Sequence, residues 1–193
     1  MKYPHWQYYK SILGDLEVLS RYVEISQDNY ETYSIELTKL LLSIGSEVDV
    51  VAKLLCGATK SRKSPGNIKS CQKILLTQFP KLPDVEVSLP KYVISFKPWH
   101  EWLQDKTPEW WNGYNKVKHE RDNHFRDGNL KNVLFATGGL CVLVSYLYYN
   151  DFISDHLGIT PLFMFLDNKY KSGCKVLTKG DFKLPDFESD GKS

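Results

Sequence analysis

The 193-residue chain is 42% hydrophobic and 25% charged, which excludes a disordered or fibrous polymer and allows a full core without disulfide or metal staples. Its 25 Lys and Arg against 23 Asp and Glu leave a net charge of +2, too balanced for a wholesale polyanion coat but not against a local basic site. The cysteines, Cys56, Cys71, Cys141 and Cys174, form no C-x-x-C, so thiols in a reducing cytosol are expected.

Trp6, Tyr9, Leu13, Leu16, Leu19 and Val23 mark the apolar stripe of a first helix over 6–23. Asp28-Asn29 offers an N-cap for a long second helix carrying Tyr33, Leu37, Leu41, Ile44, Val48, Val51 and Leu55 at steps of three and four. Gly57 and Ser64-Pro65-Gly66 punctuate it, and Asn67 is placed to cap a third helix through about Gln78, stopped by Pro80 and Pro83. Alternation in 85–89 and 92–96 around Pro90-Lys91 predicts a hairpin. Thr107-Pro108-Glu109 then reads as N-cap, proline at the first helical position and an acid in the first turn of a fourth helix reaching about Phe125. Asp127-Gly128-Asn129 breaks it, and a fifth helix follows over 130–150. Within that helix Val133–Tyr149 is uncharged, but it falls short of the roughly 20 residues a membrane span needs. It reads as a buried core helix, with Gly138-Gly139 letting a neighbour approach closely.

The sum is an all-α helical bundle over 1–160 with a small β-hairpin insert near 85–96, and an irregular C-terminal extension over 161–193. No membrane segment and no signal-peptide run at the N-terminus is expected, which fits a cytoplasmic protein.

The residues most suggestive of chemistry lie on the fourth helix. At 100° per residue with Asn115 at zero, His119 falls at about 40°, Arg126 at about 20° and Asn112 at about 60°, while Trp110, Tyr114, Val117 and Phe125 fall between about 200° and 280°. One face is apolar; the opposite one gathers a carboxamide, an imidazole and a guanidinium. His119-Glu120-x-x-x-His124 imitates a zinc-binding H-E-x-x-H, but its spacing turns the second imidazole about 140° from the first, so no metal is expected. Phosphate-binding glycine loops and the G-x-S-x-G elbow are absent from the sequence. From Val50 to Pro83 there are seven basic residues, among them Lys60, Arg62 and Lys63, and no acidic one. That is either an RNA-binding surface or a solvated face balanced by acids elsewhere. Lys116, Lys118 and Arg121 add cations beside His119, and they carry the same two readings.

Asn115-x-x-x-His119 on a late bundle helix followed by an apolar helix resembles the HEPN superfamily, all-α domains marked by arginine, a polar residue, three variable residues and histidine. The resemblance implies a metal-independent endoribonuclease without cofactor, of a defence, abortive-infection or toxin–antitoxin type. His119 would be the base and Asn115 a phosphate or orientation contact. The arginine position holds Tyr114, a departure that removes the fixed charge for the scissile phosphate. Arg126, on helical phase, is the expected substitute, with Lys118 or Arg121 as flanking cations. The resemblance further implies an acid on the second helix, for which Glu47 is the candidate, supporting His119 or Arg126. It also implies a homodimer pairing motif helices across a two-fold axis, RNA as ligand and a cognate protein partner. Trp99, Trp102, Trp110 and Trp111 either supply that interface or fill the core under the hairpin. The alternative is an inactive HEPN-like scaffold that binds RNA or a protein without cutting.

Overall fold

A computed structural model describes residues 2–57, 65–148 and 164–165. Helix α1 (Pro4–Leu19) opens with proline in its first turn and buries Trp6, Tyr9, Ile12, Leu13, Leu16 and Leu19 along one stripe. It ends four residues before the stripe suggests, because Arg21 and Tyr22 tighten into turn hydrogen bonds to Val18 and Leu19.

Helix α2 runs Ile35–Gly57, not from Asp28-Asn29, which belong to a short 3-10 turn over Gln27–Asn29. The Asn29 side chain is spent on the Glu24 carbonyl. Residues 30–33 are drawn out along the start of the fifth helix: Tyr30 and Thr32 carbonyls accept from Lys131 and Leu130 N–H, and Tyr33 bridges to Asn129. Tertiary pairing here overrides local helical preference. Ser34 Oγ instead accepts from the Leu37 N–H at 3.1 Å and opens the helix.

Helix α3 (Ile68–Gln78) starts where the sequence predicts, with Asn67 Oδ1 accepting from Ser70 N–H at 2.9 Å. Strands β1 (Val87–Leu89) and β2 (Ile94–Phe96) pair antiparallel in the register Val87–Phe96, Ser88–Ser95, Leu89–Ile94. The hairpin lies within the expected span, but its strands are three residues each and Tyr92-Val93 belong to the turn. Strand β3 (Met164–Phe165) adds to the other edge of β1. The remainder of the expected C-terminal extension lies outside the described residues.

Helix α4 (Glu109–His124) is not capped by Thr107. The Pro108 carbonyl opens the helical ladder, and the Glu101 carboxylate accepts from the Glu109 N–H at 3.2 Å. Helix α5 (Leu130–Leu147) is capped by Asn129, whose Oδ1 accepts from Asn132 N–H at 2.9 Å. By length and composition α5 is apolar enough to cross a membrane, yet 83% of it is buried inside this fold. It packs on α2, α4 and α1, and its buried hydroxyls are satisfied internally, Thr137 on the Val133 carbonyl and Ser145 on the Cys141 carbonyl.

Gly138 and Gly139 do permit close approach, but of aromatic rings instead of a helix backbone. A Cβ on Gly138 would press into Phe96, and one on Gly139 into Trp110 and Trp99. Trp99, Trp102, Trp110 and Trp111 are all buried, which removes them as an exposed dimer surface. Trp99 contacts Trp102 and Trp110, Trp110 contacts Trp111, and Trp111 contacts Tyr114, with ring centroids 4.3–5.7 Å apart. Their polar edges have partners: Trp99 Nε1–H donates to the Gly139 carbonyl at 3.1 Å and Trp110 Nε1–H to the Pro98 carbonyl at 2.8 Å.

At the hairpin tip Val93 sits in the left-handed region at φ 55 and is 94% exposed. A β-branched residue there is strained by about 1–2 kcal/mol, with no packing to offset it. Asparagine tolerates this conformation. Val93→Asn is therefore expected to stabilise the fold by about 1 kcal/mol, raising Tm by about 2–4 °C, while Val93→Ile leaves it unchanged or lower; thermal unfolding of the two variants checks this.

Candidate functional site: a polar cleft beside α4

The inner face of α4 is set by packing. Trp110, Trp111, Tyr114 and Val117 are buried, and Tyr114 lies so close to α2 that a Cβ on Gly45 would overlap its ring. Asn115 and His119 are thereby turned outward, Asn115 half-buried and His119 exposed. This much follows the helical phase read from the sequence.

The phase fails at Glu120, whose φ −139 and ψ 48 interrupt the helix. Arg126 consequently lies not below His119 but in the 3-10 turn Phe125–Asp127. Its guanidinium sits over the Tyr33 ring, 5.6 Å from the centroid, and Tyr33 is held edge-on by Phe125. The helical phase that would set Arg126 beside His119 does not hold past Glu120. An ideal-helix extrapolation cannot survive a residue with extended φ.

Glu47 is likewise engaged elsewhere. Its Oε1 accepts from His5 Nδ1 at 2.6 Å, joining α2 to α1, with both side chains mostly covered. It orients neither His119 nor Arg126. His124 stands at the boundary between two carboxylates, 3.7 Å from Glu120 and 3.3 Å from Asp127. Lys118 lies over the Tyr114 ring at 5.4 Å, Lys116 is 3.8 Å from Asp127, and Arg121 is exposed beyond the break. Lys60, Arg62 and Lys63 lie outside the described residues. Of the remaining basic run, Lys69, Lys73 and Lys81 are exposed and Lys53 pairs with Asp49.

The structure brings Asn112, Asn115 and Lys116 together as one wall of an open cleft of about 490 Å³. The other wall is the break and the start of α5, with Asp127, Asn129, Lys131 and Asn132; Glu31 and Glu109 complete the rim. His119 lies one turn past this cleft and does not line it. Helical phase found Asn112 and Asn115, and the local run of cations found Lys116. It missed Glu31, Glu109, Lys131 and Asn132, for which the one available signal was the cap at Asn129, placing the start of α5 against the end of α4.

The electrostatics decide what this cleft favours. Three carboxylates face two ammonium groups, and the Lys131–Glu109 pair at 2.8 Å takes up one of the latter. The N-terminus of α5 is no anion cradle either. Its first N–H groups go to the Thr32 and Tyr30 carbonyls, the Asn129 side chain and the Asn129 carbonyl. Asn129 and Asn132 are committed to the cap and to the Asp127 carbonyl, and Asn112 leans on the Thr107 carbonyl at a long 3.5 Å. Asn115 has no hydrogen-bond partner among the described residues, so its amide is the donor and acceptor on offer. Among the described residues no group of three or more His, Cys, Asp or Glu is arranged to hold a metal ion.

No protein-family model matches the chain, and neither a curated protein nor a solved structure is detectably similar to it.

Two outcomes follow from this geometry. Glu47→Ala is expected to lower stability by about 1–2 kcal/mol through loss of the partly buried pair, with ligand binding at the α4 cleft unchanged; denaturant unfolding and a binding assay on one preparation read both. Tyr114→Arg is expected to destabilise by about 3–5 kcal/mol, since the guanidinium would enter the space against Gly45 without a counter-charge. A Tyr114→Arg protein as stable as the parent would mean that this position can turn outward.

Proposed function

We propose that the protein is a HEPN-like RNA-binding module, working in a defence or toxin–antitoxin setting in the cytoplasm, that holds a nucleotide of single-stranded RNA in the α4 cleft without cutting it. The observation that carries this reading is an Asn115 carboxamide without a side-chain partner among the described residues, set in an open polar cleft while Arg126 is engaged on Tyr33. A carboxamide reads base edges through paired donor and acceptor. In-line cleavage by a 2′-hydroxyl needs a cation at the phosphate as well as a base, and Arg126 is held over Tyr33. Exposed Lys69, Lys73 and Lys81 supply backbone contacts of the ordinary electrostatic kind.

A second reading has its own support. Asn115 and His119 share one outward face, so two chains paired across that face as a homodimer would pool two half-sites into a metal-independent ribonuclease. One assay separates the two readings. Fluorescence anisotropy with labelled single-stranded RNA in chelator, followed by gel analysis of the same RNA, is expected to show binding with intact RNA. Its log affinity should fall steeply with log salt. Asn115→Ala should weaken binding about tenfold. Cleavage that vanishes in His119→Ala selects the homodimeric nuclease; no binding to RNA at any salt removes both and leaves a scaffold for a cognate protein partner.

A further inference from the structure

Cys56, one residue before the C-terminal end of α2, and Cys71, in the first turn of α3, meet in the core. Both are fully buried thiols. The Cys56 thiol donates to the Cys71 carbonyl oxygen across 3.9 Å, which sets the two thiols side by side. Contact between the thiols favours the Cys56 thiolate, lowering its pKa, and raises that of Cys71. The Lys53–Asp49 pair of α2 lies next to Cys71, where the carboxylate outweighs the ammonium and adds to the rise. Cys141 contrasts with them. It is buried in α5, and desolvation pushes its thiol up to about 12.

We propose that Cys56 and Cys71 form an oxidisable pair, closing to a disulfide across the α2–α3 junction when the protein meets a peroxide. The inference is independent of the RNA reading. The Cys56 thiolate attacks one peroxide oxygen, the O–O bond breaks, and Cys56 becomes a sulfenic acid as the leaving hydroxide takes up a proton to give water. The Cys71 sulfur then attacks the Cys56 sulfur; the S–S bond forms, and the sulfenic oxygen leaves as a second water with the Cys71 proton. Two thiols are oxidised by two electrons and one peroxide is reduced to two waters. Access is through the last turn of α2, since helix ends open more readily than helix interiors. The covalent ring spans a separation of 15 residues and carries Lys60, Arg62, Lys63 and Lys69 in its sequence.

The test uses the full chain. Hydrogen peroxide treatment followed by alkylation and non-reducing peptide mapping is expected to give a Cys56–Cys71 cross-linked peptide, two fewer titratable thiols and full reversal by dithiothreitol. The oxidised form should melt about 6–12 °C above the reduced one, as expected of a loop this long. In Cys71→Ser the sulfenic acid on Cys56 has no thiol to resolve it and should be trapped by dimedone. Four unreacted thiols, a dominant cross-link to Cys174, or Cys56 carried to sulfinic acid with Cys71 still reduced would overturn the proposal. The mapping on the unaltered chain decides the matter whether or not the variant folds.

Discussion

The burial of α5 on all sides is the constraint from which the rest of the molecule follows. A helix this apolar must be covered, and α1, α2 and α4 together with the hairpin cover it. The covering is specific where α5 narrows. Gly138 and Gly139 make room for Phe96, Trp110 and Trp99, and the Trp99 indole fastens to the Gly139 carbonyl. Because Trp110 and Trp111 belong to α4, the same contact fixes the rotation of that helix about its axis. Tyr114 is then forced inward against Gly45, and Asn115 and His119 are forced outward. The outward face of α4 is a by-product of how Trp110 seats on α5.

The same packing leaves no place for an arginine at position 114. Position 114 points into the core, and a tyrosine ring fills the notch at Gly45, where a charge would have no partner. The two arginines of α4 and the turn after it, Arg121 and Arg126, follow the break at Glu120, and there Arg126 is drawn onto Tyr33. Tyr33 is in place because residues 30–33 run along the start of α5. The location of Arg126 therefore depends on the same backbone pairing that delays the start of α2.

How much could be read from the amino-acid order divides along physical lines. Stripes that feed one core were legible: the inward faces of α1, α2 and α4, and α5 as a core helix. So was the cap that Asn67 makes on its own helix, because a side chain three residues from the N–H it accepts from needs no tertiary knowledge; Asn129 was legible only as part of a break. Features that depend on distant chain segments were not legible. Glu101 caps α4 from eight residues away, His5 takes Glu47 from α1, and Tyr30 and Thr32 give their carbonyls to α5. The candidate site splits in the same way. Asn112 and Asn115 came from local phase and Lys116 from local charge, whereas Lys131 and Asn132 enter the cleft because α5 folds back on α4 and Glu31 because residues 30–33 run along the start of α5.

The cleft and His119 differ in how firmly they are held, and this bears on what each can contribute. Asn112 and Asn115 ride on the regular, packed part of α4, and the facing wall is pinned by the α5 cap, so a ligand there meets groups already in position. His119 is on the last turn before the break, exposed, with the irregular stretch from Glu120 to Asp127 beyond it. The cleft therefore offers polar groups already held in place, whereas the imidazole stands outside it at the exposed end of the regular helix.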